Sequence, residues 1–169
     1  MQNIIIFIGP DNSGKTSIAK QLANEINTSY YRNNNAQKYF LNKENLIKLY
    51  IEGDTLYNFI KQVNISVIFD RHFPCEYAYA HTYNRQTDDN YILNLDEKFS
   101  LLNTKLIYCY KDIYKDFIDE YVKIEDVKKL KEHYKYYLEN LTKCDYLMLN
   151  TTDEDIKNQI KIIKKFIGV

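Results

Sequence analysis

An uninterrupted apolar run, residues 4–8 (IIIFI), leads directly into GPDNSGKT at residues 9–16, and Ile18, Leu22, Ala23 and Ile26 then recur at helical spacing. A continuous apolar run of this length suits a strand buried on both faces. The spacing after it is that of an amphipathic helix. The loop between them matches G-x-x-x-x-G-K-[ST], and its chemistry explains its spacing. Gly9 and Gly14 let the backbone wrap so that successive N–H groups point at an anion, and the helix opening there adds its positive end. Lys15 is placed for β- and γ-phosphates, and the Thr16 hydroxyl for Mg²⁺. The candidate ATP-binding set is Gly9, Asn12, Ser13, Gly14, Lys15, Thr16 and Ser17, with ATP and Mg²⁺ as the implied cofactors. A coincidental glycine turn has no reason to sit between a strand and a helix.

β-rich runs alternate with helical ones along the rest of the chain, which predicts a parallel sheet covered on both faces. Strands are expected at 4–8, 29–32, 65–70, 106–110 and 146–149. Helices are expected at 14–26, 36–62 with a break at Gly53-Asp54, 75–83, 89–102, 112–121, 125–141 and 153–167, the last capped by Thr151 or Thr152. The fold class is therefore α/β, a P-loop NTPase fold with about five parallel strands flanked by helices. The 169 residues are read as one kinase-sized domain with at most a small lid near 112–125. The 23 basic and 23 acidic residues cancel, so no overall field draws the chain to nucleic acid or membrane. Cys75, Cys109 and Cys144 are scattered and read as reduced, buried side chains of a cytoplasmic protein. The first apolar run is too short for a signal peptide.

A second constellation lies at 65–80, ISVIFDRHFPCEYAYA. Strand-end Asp70 and Arg71 would lie beside the phosphate loop at the carboxyl edge of the sheet. Asp70 could order Mg²⁺ or take a proton, and Arg71 could clamp an acceptor phosphate and offset transition-state charge. Only three arginines, Arg32, Arg71 and Arg85, stand against twenty lysines. Such a chain reserves Arg for positions that need a planar fork, or carries it there by accident. A guanine-nucleotide switch is disfavoured, because neither Gly53 nor Gly168 has Asp three residues earlier. The Thr142-Lys143-Cys144-Asp145 string precedes a strand where a guanine-reading motif would follow one, and reads as a helix end.

GPDNSGKT together with FDRHFPCEYAYA resembles the thymidylate kinase family and its deoxynucleoside-kinase relatives, in which G-x-D-x-x-G-K-[ST] is paired with D-R-[YH] and a helix containing A-Y-Q. The resemblance implies that Asp11 holds the acceptor sugar's 3′-hydroxyl. It implies that Arg71 holds the acceptor phosphate with Arg32 opposite, and that residues 150–152 pass the adenine. Phe73 and Tyr79 complete the candidate acceptor-binding set, and Tyr39 and Phe40 are further stacking candidates. The chain departs from the family in two ways. No Arg follows Arg85, leaving Lys111, Lys115 and Lys123 as the cations near a lid. Ala80 stands where the family has the Gln that helps read thymine, which predicts an acceptor other than dTMP alone.

The resulting expectation is an ATP- and Mg²⁺-dependent kinase of a (deoxy)nucleoside monophosphate, with Lys15, Asp70 and Arg71 catalytic and Thr16 and Asp70 at the metal. The alternatives are a kinase of a nucleoside or of a hydroxyl on nucleic acid, and an ATP-binding partner protein without efficient transfer. The expected partner is a small nucleotide; polynucleotide is not favoured, no membrane is expected, and a homodimer is left open.

Overall fold

The computed structural model describes residues 2–32, 43–114 and 122–169. Tyr39, Phe40, Lys115 and most of the helix expected at 112–121 lie outside the described residues. Five strands, β1 (Ile4–Ile8), β2 (Ser29–Arg32), β3 (Val67–Asp70), β4 (Thr104–Tyr110) and β5 (Asp145–Asn150), form one parallel sheet in the order β2-β3-β1-β4-β5. The described helices are α1 (Lys15–Glu25), α2 (Lys43–Val63), α3 (Phe73–Thr82), α4 (Asp89–Ser100), α5 (Ile124–Asn140) and α6 (Ile156–Ile167).

Strand alternation divides the core into two layers. Ile5 and Phe7 of β1 face α1 and α6 together with Ile68, Ile107 and Cys109. Ile4, Ile6 and Ile8 face the other way, with Phe69, Leu106 and Tyr108, towards α2, α3, α4 and α5. Both faces of β1 are fully covered, which is why its sequence is continuous and not alternating. The chain turns from β1 towards β2 on one side, whereas β3 connects across β1 to β4. That reversal leaves a crevice at the carboxyl ends of the central strands, where ligands bind in open α/β sheets. Pairing sets Phe7 and Arg32 level with Asp70, and Tyr110 level with Asn150.

Three expectations are corrected. Helix α2 runs unbroken through Gly53, because a Cβ there would stand 2.9 Å from both Leu95 Cδ1 and Tyr91 Oη on α4. The glycine serves close helix packing. Helix α6 is capped by Asp155, which accepts from the Asn158 N–H at 3.1 Å, so neither threonine is the cap. It starts at Ile156, three residues later than the pattern indicated. The residues 142–145 lie between α5 and β5, where the Thr142 hydroxyl and the Lys143 N–H bind the buried Asp96 carboxylate at 2.7 and 2.6 Å. That string is a structural tie. Among the described residues no helix is long and apolar enough to cross a membrane.

Candidate active site

Gly9 leaves β1 with φ 137°, and a Cβ there would stand 2.1 Å from the Cys109 carbonyl oxygen. Only glycine allows that approach. Asn12 and Gly14 follow at φ 58° and 77°, curling the loop into the start of α1. The loop is braced from β5: the Thr151 hydroxyl donates to the carbonyl of buried Ser13 at 2.9 Å, while the Thr151 N–H binds the Tyr110 carbonyl. Asn12 and Ser17 are exposed. Lys15 Nζ lies inside the loop, donating to the Pro10 carbonyl at 2.5 Å and Ser13 Oγ at 3.2 Å. Its burial, and then the charge of Arg71, push its ammonium down to about 8, with Asp11 opposing.

Asp70 ends β3 wholly buried. Its Oδ2 accepts from Thr16 Oγ1 at 2.6 Å and from the Tyr30 hydroxyl at 2.8 Å, and Arg32 Nε stands 3.7 Å away. Among the described residues Oδ1 accepts no hydrogen bond, although it is buried. A hard carboxylate oxygen with spare lone pairs beside a threonine hydroxyl fits Mg²⁺. That ion takes few protein ligands and fills its shell with water and phosphate. No group of three or more metal-binding His, Cys, Asp or Glu occurs among the described residues, as such a site requires.

Arg71 follows Asp70 in the left-handed region at φ 75°, with its N–H on the Phe7 carbonyl at 2.9 Å. A non-glycine residue there costs about 1 kcal/mol, and the turn swings the guanidinium back over the phosphate loop. Arg71 Nη2 donates to Asp11 Oδ1, and the Tyr79 hydroxyl donates to Asp11 Oδ2. The guanidinium carbon also lies 5.2 Å from the Tyr79 ring centre. Burial alone would raise the Asp11 carboxyl, but Arg71, Lys15 and Tyr79 outweigh it and hold the group below its ordinary value. This explains an acid inside an anion-binding loop: its charge is committed to the acceptor side.

The structure thus gathers Asp11, Lys15, Thr16, Asp70, Arg71, Tyr79 and Arg32 at one edge. It does not bring Phe73 there. That ring is wholly buried at the start of α3, 5.4 Å from Phe99 and 5.2 Å from His72, so it packs the core and cannot stack on a base. Ala80 is also wholly buried, a packing methyl with no open space before it. Asn150 and Thr152 tie the β5–α6 connection to Asp112 at 2.6 and 2.9 Å. Lys111 is paired with Glu154, and exposed Lys123 with Glu125 at 3.8 Å. Sequence reasoning missed Tyr30, although it lies two residues before Arg32 on the same face of β2. It also missed Glu76, a lone acid inside the apolar stretch 73–80.

No family model and no curated protein matches the chain. Solved structures do share its fold. One is the YorR protein of Bacillus subtilis, in complex with phosphorylated GDP; it is 22% identical, with 95% of each chain covered and a TM-score of 0.69. Thymidylate kinase from Candida albicans is 14% identical over 99% of this chain and 91% of that one, with a TM-score of 0.71. Deoxyadenosine kinase from M. mycoides, with the products dCMP and dCDP, is 18% identical over 98% of both chains, with a TM-score of 0.61. The fold is that of P-loop kinases.

Proposed function

We propose that the chain transfers the γ-phosphoryl group of ATP to the phosphate of a (deoxy)nucleoside monophosphate. The observation that carries this reading is Asp11, held between Arg71 and Tyr79 within the same loop that bears Lys15. A loop that only gripped ATP would gain nothing from a buried carboxylate. A carboxylate with a guanidinium beside it can accept from a sugar hydroxyl and leave the guanidinium to a phosphate. The similar structures act on or hold nucleotides, which supports the same class of acceptor here.

In the reaction an oxygen of the acceptor's phosphate attacks the γ-phosphorus, the bond to the β-phosphate oxygen breaks, and ADP leaves. The attacking oxygen is already ionised near neutral pH, so Asp70 is not required as a base. Its carboxylate and the Thr16 hydroxyl would hold Mg²⁺, which supplies charge neutralisation at the phosphates when bound. Lys15 neutralises the β- and γ-phosphates, and Arg71 holds the acceptor phosphate in line, with partly exposed Arg32 approaching from β2. Tyr30 fixes Asp70.

The test is a transfer assay with ATP against nucleosides, nucleoside monophosphates and an oligonucleotide. Diphosphate products from monophosphates alone are expected. Transfer to a nucleoside hydroxyl or an oligonucleotide end, with monophosphates inert, would overturn the reading.

A further inference from the structure

Glu76 is a buried acid that the phosphate chemistry does not use. It is 8% exposed, and it forms an ion pair with Arg85 at 3.4 Å. Burial raises its carboxyl, against the lowering by Arg85. Among the described residues its Oε1 accepts no hydrogen bond, an uncommon condition for a buried carboxylate oxygen. The Arg85 N–H binds the Ala80 carbonyl at 2.9 Å, folding that residue back against the end of α3.

The position of this pair is informative. Glu76 precedes Tyr79 by three residues on α3, so the two side chains are neighbours on one helix face. Tyr79 holds Asp11, and its ring lies 6.2 Å from Tyr83. Across from α3, the Tyr50 hydroxyl of α2 is shifted upward by burial, then by the charges of Asp88 and Glu76, which places that carboxylate between the two helices. Polar groups therefore run in sequence: Lys15 and Arg71 for phosphates, Asp11 and Tyr79 for the sugar, and Glu76 with Arg85 one helical turn further on. A nucleotide anchored by phosphate and sugar extends its base towards the third group.

We propose that Glu76 and Arg85 read the acceptor's base and select one with an exocyclic amino group over thymine or uracil. The carboxylate accepts from the amino group, and the guanidinium donates to the adjoining ring nitrogen or carbonyl. Thymine would turn carbonyl oxygens towards the carboxylate, and a site built around a hydrogen bond rejects an analogue that cannot make it. The inference rests on the kinase reading given above.

Wild type should show kcat/KM for dCMP, dAMP or dGMP at least about 10-fold above that for dTMP and dUMP. Glu76→Gln places an amide donor at the same spot and should narrow or reverse that ratio, with the KM for ATP unchanged. Circular dichroism checks the fold of the variant. A wild-type preference for dTMP, or a Glu76→Gln variant that slows all acceptors equally, overturns the assignment. If no monophosphate is phosphorylated, the kinase reading fails by itself. The same base ratio measured as Kd by calorimetry then decides whether Glu76 and Arg85 read the base.

Discussion

Arg71 reaches back across sixty residues of sequence to donate to Asp11, joining the end of β3 to the one acid in the phosphate loop. Two opposite charges, both largely removed from water, thereby define the acceptor side of the site. Neither is there for stability alone. A buried pair recovers little net free energy over apolar packing, and Arg71 also adopts a left-handed backbone to make the contact. That cost is understandable if each partner serves a substrate group.

Asp11→Ala is expected to injure the acceptor side selectively. Losing a charge-assisted hydrogen bond costs about 1.5–3 kcal/mol, so the acceptor KM should rise on the order of 10- to 100-fold. The affinity for ATP should hold or improve, because a negative charge leaves the loop. An unchanged acceptor KM in steady-state kinetics would remove the sugar-binding assignment.

Arg71→Lys keeps the charge and loses the fork. A lysine ammonium cannot bind a phosphate through two parallel bonds or rest flat on the Tyr79 ring. The expected result is a fall in kcat/KM of at least about 10-fold, the worth of one bond to a charged group. A lysine variant close to wild type would show that only net positive charge matters there.

Much of this arrangement is written locally in the chain. The apolar run of β1 and the glycines around Lys15 signal themselves without reference to distant residues, and Asp70-Arg71 stands out at the end of a third apolar run. What failed to show depends on tertiary direction. Gly53 is a helix breaker by propensity, yet here it admits Leu95 and Tyr91. Phe73 sits next to the site in sequence, but the entry angle of α3 turns its ring into the core. Tyr30 became part of the site only because β2 pairs with β3 in a register that sets Arg32 level with Asp70. Asp155 outcompeted Thr151 as a cap because the Thr151 hydroxyl was already committed to Ser13.

Lys15 imposes a pH limit. Its ammonium is pushed down to about 8, chiefly by burial, so the free protein keeps the charge below that pH and loses it above. Bound phosphates favour the charged form and raise the value again. Hence kcat/KM for ATP should fall as pH rises through about 8, while kcat persists to higher pH, since the two report free and bound enzyme respectively. Lys15→Ala should abolish transfer with the fold intact by circular dichroism. Parallel pH profiles of kcat and kcat/KM would contradict the buried-lysine account.

His72 gives the last prediction, on stability against acid. Its ring packs among Phe69, Phe73 and Phe99, with centroids 4.8, 5.2 and 5.0 Å away. Burial in these surroundings pushes its imidazolium down from 6.5 to about 4. A base whose value is depressed on folding binds its proton more readily in the unfolded chain. Its contribution is therefore complete above pH 6.5 and is lost as pH falls towards about 4. Other groups titrate in the same range, including Glu76, so the comparison must be differential. His72→Phe removes the proton site and leaves the others in place. Wild type should lose more stability than the variant between pH 6.5 and 4, measured from denaturant midpoints at several pH values. Identical pH dependence in the two proteins would mean that His72 titrates as though it were in water.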